Sequence, residues 1–342
     1  MFESLIAVIV SIIGALTLTG LVRRYAVHTT LVDVPEERSS HSEVTPLGGG
    51  LAIVMVLIGG LLLLFWLSPS DRPVLAVILG SLIAMAALGW IDDRHRLPVY
   101  IRLSVQTAVA YVAVISLGPI DRVDIAGLDI ELAGLSVVLS VLWFVWLTNL
   151  YNFMDGIDGL AAVQALIAGG TLGYWFSEVG SSSLSLFSYM VMGAALGFLF
   201  WNWAPAKIFM GDVGSLAVGA TLAVLSIVGT SRELFPWGAF LMLLSIFVGD
   251  ATVTLIRRMV KGEKWWEAHR CHFYQRAVRA GWSHQRVAVA VLLVGAVLAG
   301  LATLEMLRYP PRGLWIVTTL VILLTLAFIV KRKESSLDRA KG

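Results

Sequence analysis

With 342 residues, 58% of them hydrophobic and 14% charged, the chain has more apolar surface than one soluble core would bury. This excludes the soluble globular class. A formal charge of +2 gives no reason to expect nucleic acid as a partner, and the lone Cys271 excludes an intrachain disulfide and a cysteine-rich zinc site.

Eleven apolar runs follow one another at about 2–22, 47–67, 74–91, 103–118, 131–148, 160–177, 184–201, 215–230, 235–256, 287–306 and 313–330. Each approaches the roughly 20 residues that a helix needs to cross a bilayer. They are apolar on all sides, whereas a barrel strand alternates lipid-facing and lumen-facing residues. The expected fold is therefore an all-α integral membrane protein of about 11 transmembrane helices. The first run lacks a preceding basic residue and a small-residue cleavage site, so it is kept as a span. No repeat or change of composition divides the chain. It is expected to form one polytopic domain, 1–342, ending in a basic tail at 331–342.

Lys and Arg fix the expected orientation, because cytoplasmic loops carry the excess of positive charge. With the N-terminus outside (periplasmic), 20 of the 25 basic residues fall on the inner side; only Arg72, Arg122, Arg232, Arg308 and Arg312 fall outside. The C-terminus is then cytoplasmic. The inner side also holds all six histidines and four clusters rich in Gly or Pro. Loops on a rigid scaffold are where active sites usually lie, so a cytoplasmic cleft is expected.

Five inner clusters carry the chemistry. Arg38, Ser39, Ser40 and His41 precede Gly48-Gly49-Gly50, pairing anion-binding side chains with a close-approach backbone; a polar interfacial loop is the plainer reading. Asp92 and Asp93 end the third run beside Arg94 and Arg96. They suit Mg²⁺ and phosphate, or merely pair with those arginines. The stretch 149–160 holds Asn149, Asn152, Asp155 and Asp158 with no Lys or Arg, so its carboxylates need another cation if buried. In 202–215, Asn202, Lys207 and Phe209 lead to Asp212 just before the eighth run. A helix N-terminus there suits phosphate, Asp212 suits a metal or an N-cap, and Lys207 adds a point charge. Finally, His269 and His272 are three apart with Arg276 a turn later, an anion-binding row if helical. Arg257 and Arg258 are equally good as snorkelling anchors. Asp250, inside the ninth run, belongs to none of these loops.

In this order the five clusters resemble the signature of the polyprenyl-phosphate N-acetylhexosamine-1-phosphate transferases, glycosyltransferase family 4, over about 33–276. The resemblance implies transfer of a sugar phosphate from a UDP-N-acetylhexosamine to undecaprenyl phosphate with release of UMP. It also implies Mg²⁺ as cofactor with Mn²⁺ as the substitute ion, location in the bacterial inner membrane among membrane lipids, and room for a homodimer. By position it makes Asp212 the metal ligand and places Asp92 and Asp93 beside the acceptor phosphate. Asn152 and Asp155 would organise the polar centre, and Asn152, Asp158, Asn202 and Phe209 would serve the nucleotide. Arg38, Ser40, His41 and Lys207 would bind phosphate, while His269, Arg270 and His272 would lie near the donor pyrophosphate or sugar. Asp92 is read as either a base or an orienting residue, and direct displacement is preferred to a covalent intermediate.

Here Arg270 and Cys271 separate His269 from His272, whereas the phospho-N-acetylmuramoyl-pentapeptide transferases have a tighter histidine cluster. The resemblance therefore points to the O-antigen-initiating branch, with UDP-GlcNAc, UDP-FucNAc or UDP-QuiNAc as donor. The pentapeptide transferase is the alternative within the family. A transporter or lipid flippase is the alternative outside it, and Asp250 would be that reading's deep ionisable group.

Overall fold

The computed structural model describes residues 2–34, 43–263 and 270–341. Arg38, Ser40, His41 and His269 lie outside these residues. The helices are α1 (Phe2–His28), α2 (Gly50–Leu67), α3 (Arg72–His95), α4 (Val99–Leu117), α5 (Ser136–Phe153), α6 (Leu160–Glu178) and α7 (Ser182–Asn202). After these come α8 (Asp212–Ser231), α9 (Trp237–Leu243), α10 (Ser245–Val260), α11 (Phe273–Arg279), α12 (His284–Met306) and α13 (Arg312–Lys341). Two small antiparallel pairs complete the described structure: β1 (Val32–Asp33) with β2 (Thr45–Pro46), and β3 (Arg122–Ile125) with β4 (Leu128–Glu131).

Ten of these helices are long and apolar enough to cross a membrane. The run expected at 235–256 is instead a bent pair. It breaks at Leu244, where α9 and α10 meet at 84°. With seven residues, α9 spans only about 10 Å. Helix α10 then presents two faces: Ser245, Phe247, Asp250, Thr254 and Arg258 are buried, while Val253, Ile256, Met259 and Val260 are exposed. The turn carries the polar stripe of α10 toward α11 rather than along the bundle.

Helix α8 is the axis of the packing. Every residue from Val213 to Thr230 is buried, as expected of a helix apolar on all sides. It packs on α3 and α5, with α2 beside it, while α1 and α6 both pack on α7. The close contact with α3 depends on Gly89, where a Cβ would lie 2.2 Å from the Asp212 carbonyl oxygen. Large apolar side chains cover the outer faces, among them Leu62, Leu63 and Trp66 on α2 and Leu320, Leu324 and Phe328 on α13.

At the end of the bundle where α4 leads into α5, the β3–β4 hairpin is tied down by Arg312. Its Nη2 donates to both carboxylate oxygens of Asp124 (2.8 and 2.9 Å) and to Oε1 of the fully buried Glu305 (2.8 Å). Near the opposite end of α13, Arg276 of α11 forks onto Glu334, with Nε on Oε1 at 2.8 Å and Nη2 on Oε2. The basic stretch from 331 thus continues as helix and grips α11.

Candidate active site

The site forms where the first turn of α8 meets the ends of α3 and α5. Asp93 Oδ1 accepts the Asp212 N–H (2.9 Å) and Oδ2 accepts the Val213 N–H (3.1 Å), so a carboxylate from α3 satisfies two free donors of α8 and faces its dipole. Gly211 makes room for this. Its φ is +75°, and a Cβ there would meet Asp93 Oδ2 at 2.8 Å. From the last turn of α5, Asn152 Nδ2 donates to Asp212 Oδ1 (2.7 Å) and to Ser215 Oγ (2.8 Å). Asp212 therefore has one oxygen oriented by an amide and remains partly exposed, as do Asp93, Asn152 and Asp155.

Asp92 lies near Asp212 as well, but its hydrogen bonds go to Leu97 and α4. Its carboxylate is buried and pairs with Arg102 Nη1 at 2.7 Å, while Oδ1 accepts the Leu97 N–H at 2.6 Å. Arg94, a neighbour offered by the sequence, instead lies over the Trp90 ring, 3.4 Å from its centroid. Asp155 sits in the turn after α5. Burial pushes its carboxyl well above the ordinary carboxylate range, and the nearby carboxylates of Asp212, Asp93 and Asp158 add to the effect. Asp155 thus feels three other carboxylates, and the stretch 149–159 around it has no basic residue.

This donor set fits a hard divalent cation in the manner of Mg²⁺, which takes one or two carboxylates and leaves its other positions to water and phosphate. Among the described residues no three acidic, histidine or cysteine side chains converge as a complete ligand set. Asp93, Asp155 and Asp212 are the partly exposed carboxylates that could hold such an ion.

Asp158 and Asn202 brace the loop that frames the cleft. Asp158 Oδ2 accepts the Ala206 N–H (3.1 Å) and Oδ1 lies 3.3 Å from His284 Nδ1. Asn202 Oδ1 accepts the Gly159 N–H (2.9 Å), and its amide donates to Ile208 O (3.0 Å). Phe209 pairs through its backbone with the 46–50 segment. Its N–H donates to Pro46 O and its carbonyl accepts the Gly49 N–H, both at 2.8 Å. Exposed Lys207 lies apart from this group, its ammonium 5.7 and 5.6 Å from the ring centres of Phe200 and Trp201, with Arg23 donating to its carbonyl at 3.1 Å.

The last cluster joins the site through α11. His272 is buried just before this helix, its ring stacked at 6.4 Å on Phe153 and 5.7 Å on Tyr274. Tyr274 Oη donates to Phe153 O at 2.9 Å, and burial pushes its phenol well above the usual value. Asp250 Oδ1 faces His272 Nδ1 at 3.1 Å. Arg270 begins this described segment and is half-buried. Sequence reasoning missed Arg102, Tyr274, His284 and the engagement of Asp250. Only the isolation of Asp250 inside an apolar run gave a signal.

Beside α11 lies a cavity of about 340 Å³. Its lining, almost wholly apolar, comes from α10, α12 and α13 and reaches Met154, Asp250, Phe273 and Tyr274. Carboxylates gathered at the head of the buried α8, at one end of a bundle with ten helices long and apolar enough to cross a membrane, define a multi-pass membrane protein with a polar site at a helix end.

Comparison with known proteins narrows the class. Residues 75–230 match the model of glycosyl transferase family 4. The chain is 32% identical over 299 residues to a probable undecaprenyl-phosphate N-acetylglucosaminyl 1-phosphate transferase of Bacillus subtilis (strain 168), covering 86% of this chain and 83% of that protein. It is 29% identical to the undecaprenyl-phosphate alpha-N-acetylglucosaminyl 1-phosphate transferase of Salmonella typhi, over 91% of this chain and 87% of the relative. A decaprenyl-phosphate N-acetylglucosaminephosphotransferase of Mycobacterium tuberculosis is 31% identical, with 83% and 78% covered. The chain belongs to glycosyl transferase family 4.

Proposed function

We propose that this multi-pass membrane protein transfers N-acetylglucosamine 1-phosphate from UDP-GlcNAc to undecaprenyl phosphate or a similar polyprenyl phosphate, releasing UMP and initiating a lipid-linked glycan of the bacterial envelope. The observation that carries the reading is Asp212, held by Asn152 at the head of the enclosed α8, in a cleft with more carboxylates than cations. The relatives' names support GlcNAc over the other two amino sugars. The N-terminus is placed outside and the cleft in the cytoplasm, on the side that holds most of the Lys and Arg.

A lipid phosphate oxygen attacks the sugar-linked phosphorus. A new P–O–P linkage forms as the bond to UMP breaks, and UMP leaves as the phosphate. Asp212 would hold Mg²⁺ or Mn²⁺, which would supply charge neutralisation for the two anionic substrates. Asn152 orients Asp212, and Asp93 holds the first turn of α8 in register with it. The carboxylate of Asp92 is committed to Arg102 and the Leu97 N–H, which favours an orienting role over that of a base. A phosphate monoester is already mostly dianionic at neutral pH, so the acceptor needs little deprotonation.

His272 and Arg270 face the donor pyrophosphate in this reading, joined by His269 and by Arg38, Ser40 and His41. Asp158, Asn202 and Phe209 shape the uridine side. The apolar cavity beside α11 suits the first part of a polyprenyl tail. Asp250, which a transporter would keep available for its cargo, is spent on α11, and this favours the enzyme over the transporter.

The test is UMP release by purified protein in detergent, given undecaprenyl phosphate and Mg²⁺ and offered UDP-GlcNAc, UDP-FucNAc, UDP-QuiNAc and UDP-MurNAc-pentapeptide separately. Lipid-dependent UMP from UDP-GlcNAc is expected. UMP from another donor alone corrects the sugar, and none from any donor sinks the transferase reading.

A further inference from the structure

Asp250 is 8% exposed and lies on α10, outside every loop that supplies the cleft. Its partners nevertheless lie, with one exception, in the segment that brings His272 to the site. Oδ1 accepts the Phe273 N–H (2.8 Å) and the Thr254 hydroxyl (3.2 Å) and faces His272 Nδ1 (3.1 Å), while Oδ2 accepts the Tyr274 N–H (3.1 Å). Three of these four donors are 22 to 24 residues away in sequence.

A carboxylate so placed does two things. It binds both backbone N–H groups that open α11, fixing where the segment begins. It also lies 3.1 Å from His272 Nδ1, where accepting an Nδ1–H fixes the orientation of the ring. The imidazole is further confined by Phe153 and Tyr274, and Phe153 directly follows Asn152, which orients Asp212. The path from Asp250 to the α8 head therefore runs through contacts among His272, Tyr274, Phe153 and Asn152.

We propose that Asp250 is a positioning residue for the transfer reaction, acting through the imidazole of His272. The proposal rests on the transferase reading above. A carboxylate that merely stabilised α11 would contribute equally with or without that imidazole. One that works through His272 would lose its effect once the imidazole is gone, because residues acting as a unit are strongly non-additive.

The experiment is a double-mutant cycle in the full-length protein, with Asp250→Asn, His272→Ala and the double variant compared for UMP release. Asp250→Asn is expected to lower kcat by about 10- to 100-fold, the scale on which small misplacements act, with KM for UDP-GlcNAc within about three-fold. In the His272→Ala background the same change should cost less than about two-fold. Equal losses in both backgrounds, or an unchanged kcat for Asp250→Asn, would overturn the proposal. If Asp250→Asn does not fold, Asp250→Glu, which keeps the charge but displaces it by one methylene, takes its place with the same expectation. Independently of turnover, ¹⁵N-histidine NMR of the wild-type protein, assigned with His272→Ala, should show the Nδ1–H form of His272; an Nε2–H tautomer would refute the contact. Wild-type protein that releases no UMP from any donor would sink the transferase reading instead, leaving the NMR result to judge the Asp250–His272 contact.

Discussion

Gly89→Ala tests how tightly the cleft depends on the approach of α3 to α8. A Cβ at 89 would lie 2.2 Å from the Asp212 carbonyl oxygen, 2.3 Å from its carbonyl carbon and 2.5 Å from the Val213 nitrogen. All three are backbone atoms of the first turn of α8, so no rotamer change relieves the overlap. Restoring ordinary contact distances requires a separation of roughly 1 Å, enough to break one or both of the N–H bonds that Asp93 accepts at 2.9 and 3.1 Å. Overpacking of this kind costs about 1–3 kcal/mol of stability, and a 1 Å shift of a reacting group costs about 100-fold in rate. The control is Gly80→Ala on the same helix, where a new Cβ would meet nothing within 4 Å. UMP release and thermal unfolding in detergent are measured for both. Turnover of Gly89→Ala within about three-fold of Gly80→Ala would refute the argument that this backbone contact sets the position of Asp212.

Asp212→Asn should abolish UMP release while leaving the unfolding temperature near that of the wild type, because it removes a charge at almost constant volume; activity within ten-fold of wild type would remove Asp212 from the metal-holding role. EDTA should stop turnover and excess Mg²⁺ restore it, and full activity in EDTA would rule out a divalent ion held by this cleft. Arg102→Met leaves the buried Asp92 without its counter-charge, so it should lose about 2 kcal/mol of stability along with activity, read by chemical or thermal unfolding; unchanged stability would show that the Asp92–Arg102 pair is dispensable. Lys207→Gln should change turnover by less than about three-fold, since its ammonium rests on Phe200 and Trp201, whereas a loss above ten-fold would place that ammonium on a substrate phosphate.

The spans were legible because crossing a bilayer demands long apolar runs whatever their neighbours do, and ten helices fall where such runs stand. The break at Leu244 was not, because 235–248 is apolar apart from Ser245 and the partners that Asp250 meets on α11 lie more than 20 residues away. Asp93, Asn152 and Asp212 could be picked out singly as polar groups at span ends. Their bonds join residues 60 to 120 apart, a separation that composition and spacing do not encode. The same limit hid Arg102. The sequence offered Arg94 beside Asp92, yet the helical turn carries Arg94 over Trp90 while the next helix supplies the counter-charge.

The enclosure of α8 also decides where the protein can move. A helix packed on every side exchanges its amide protons only by large-scale opening, so the carboxylate at its head inherits the stiffness of the whole bundle. In contrast, α11 is a seven-residue piece bordering a cavity and held by Asp250 on one side and Glu334 on the other. Substrate traffic is therefore expected to displace α11 and the cavity wall around a stationary Asp212, with the two acidic side chains on α10 and α13 setting how far that displacement goes.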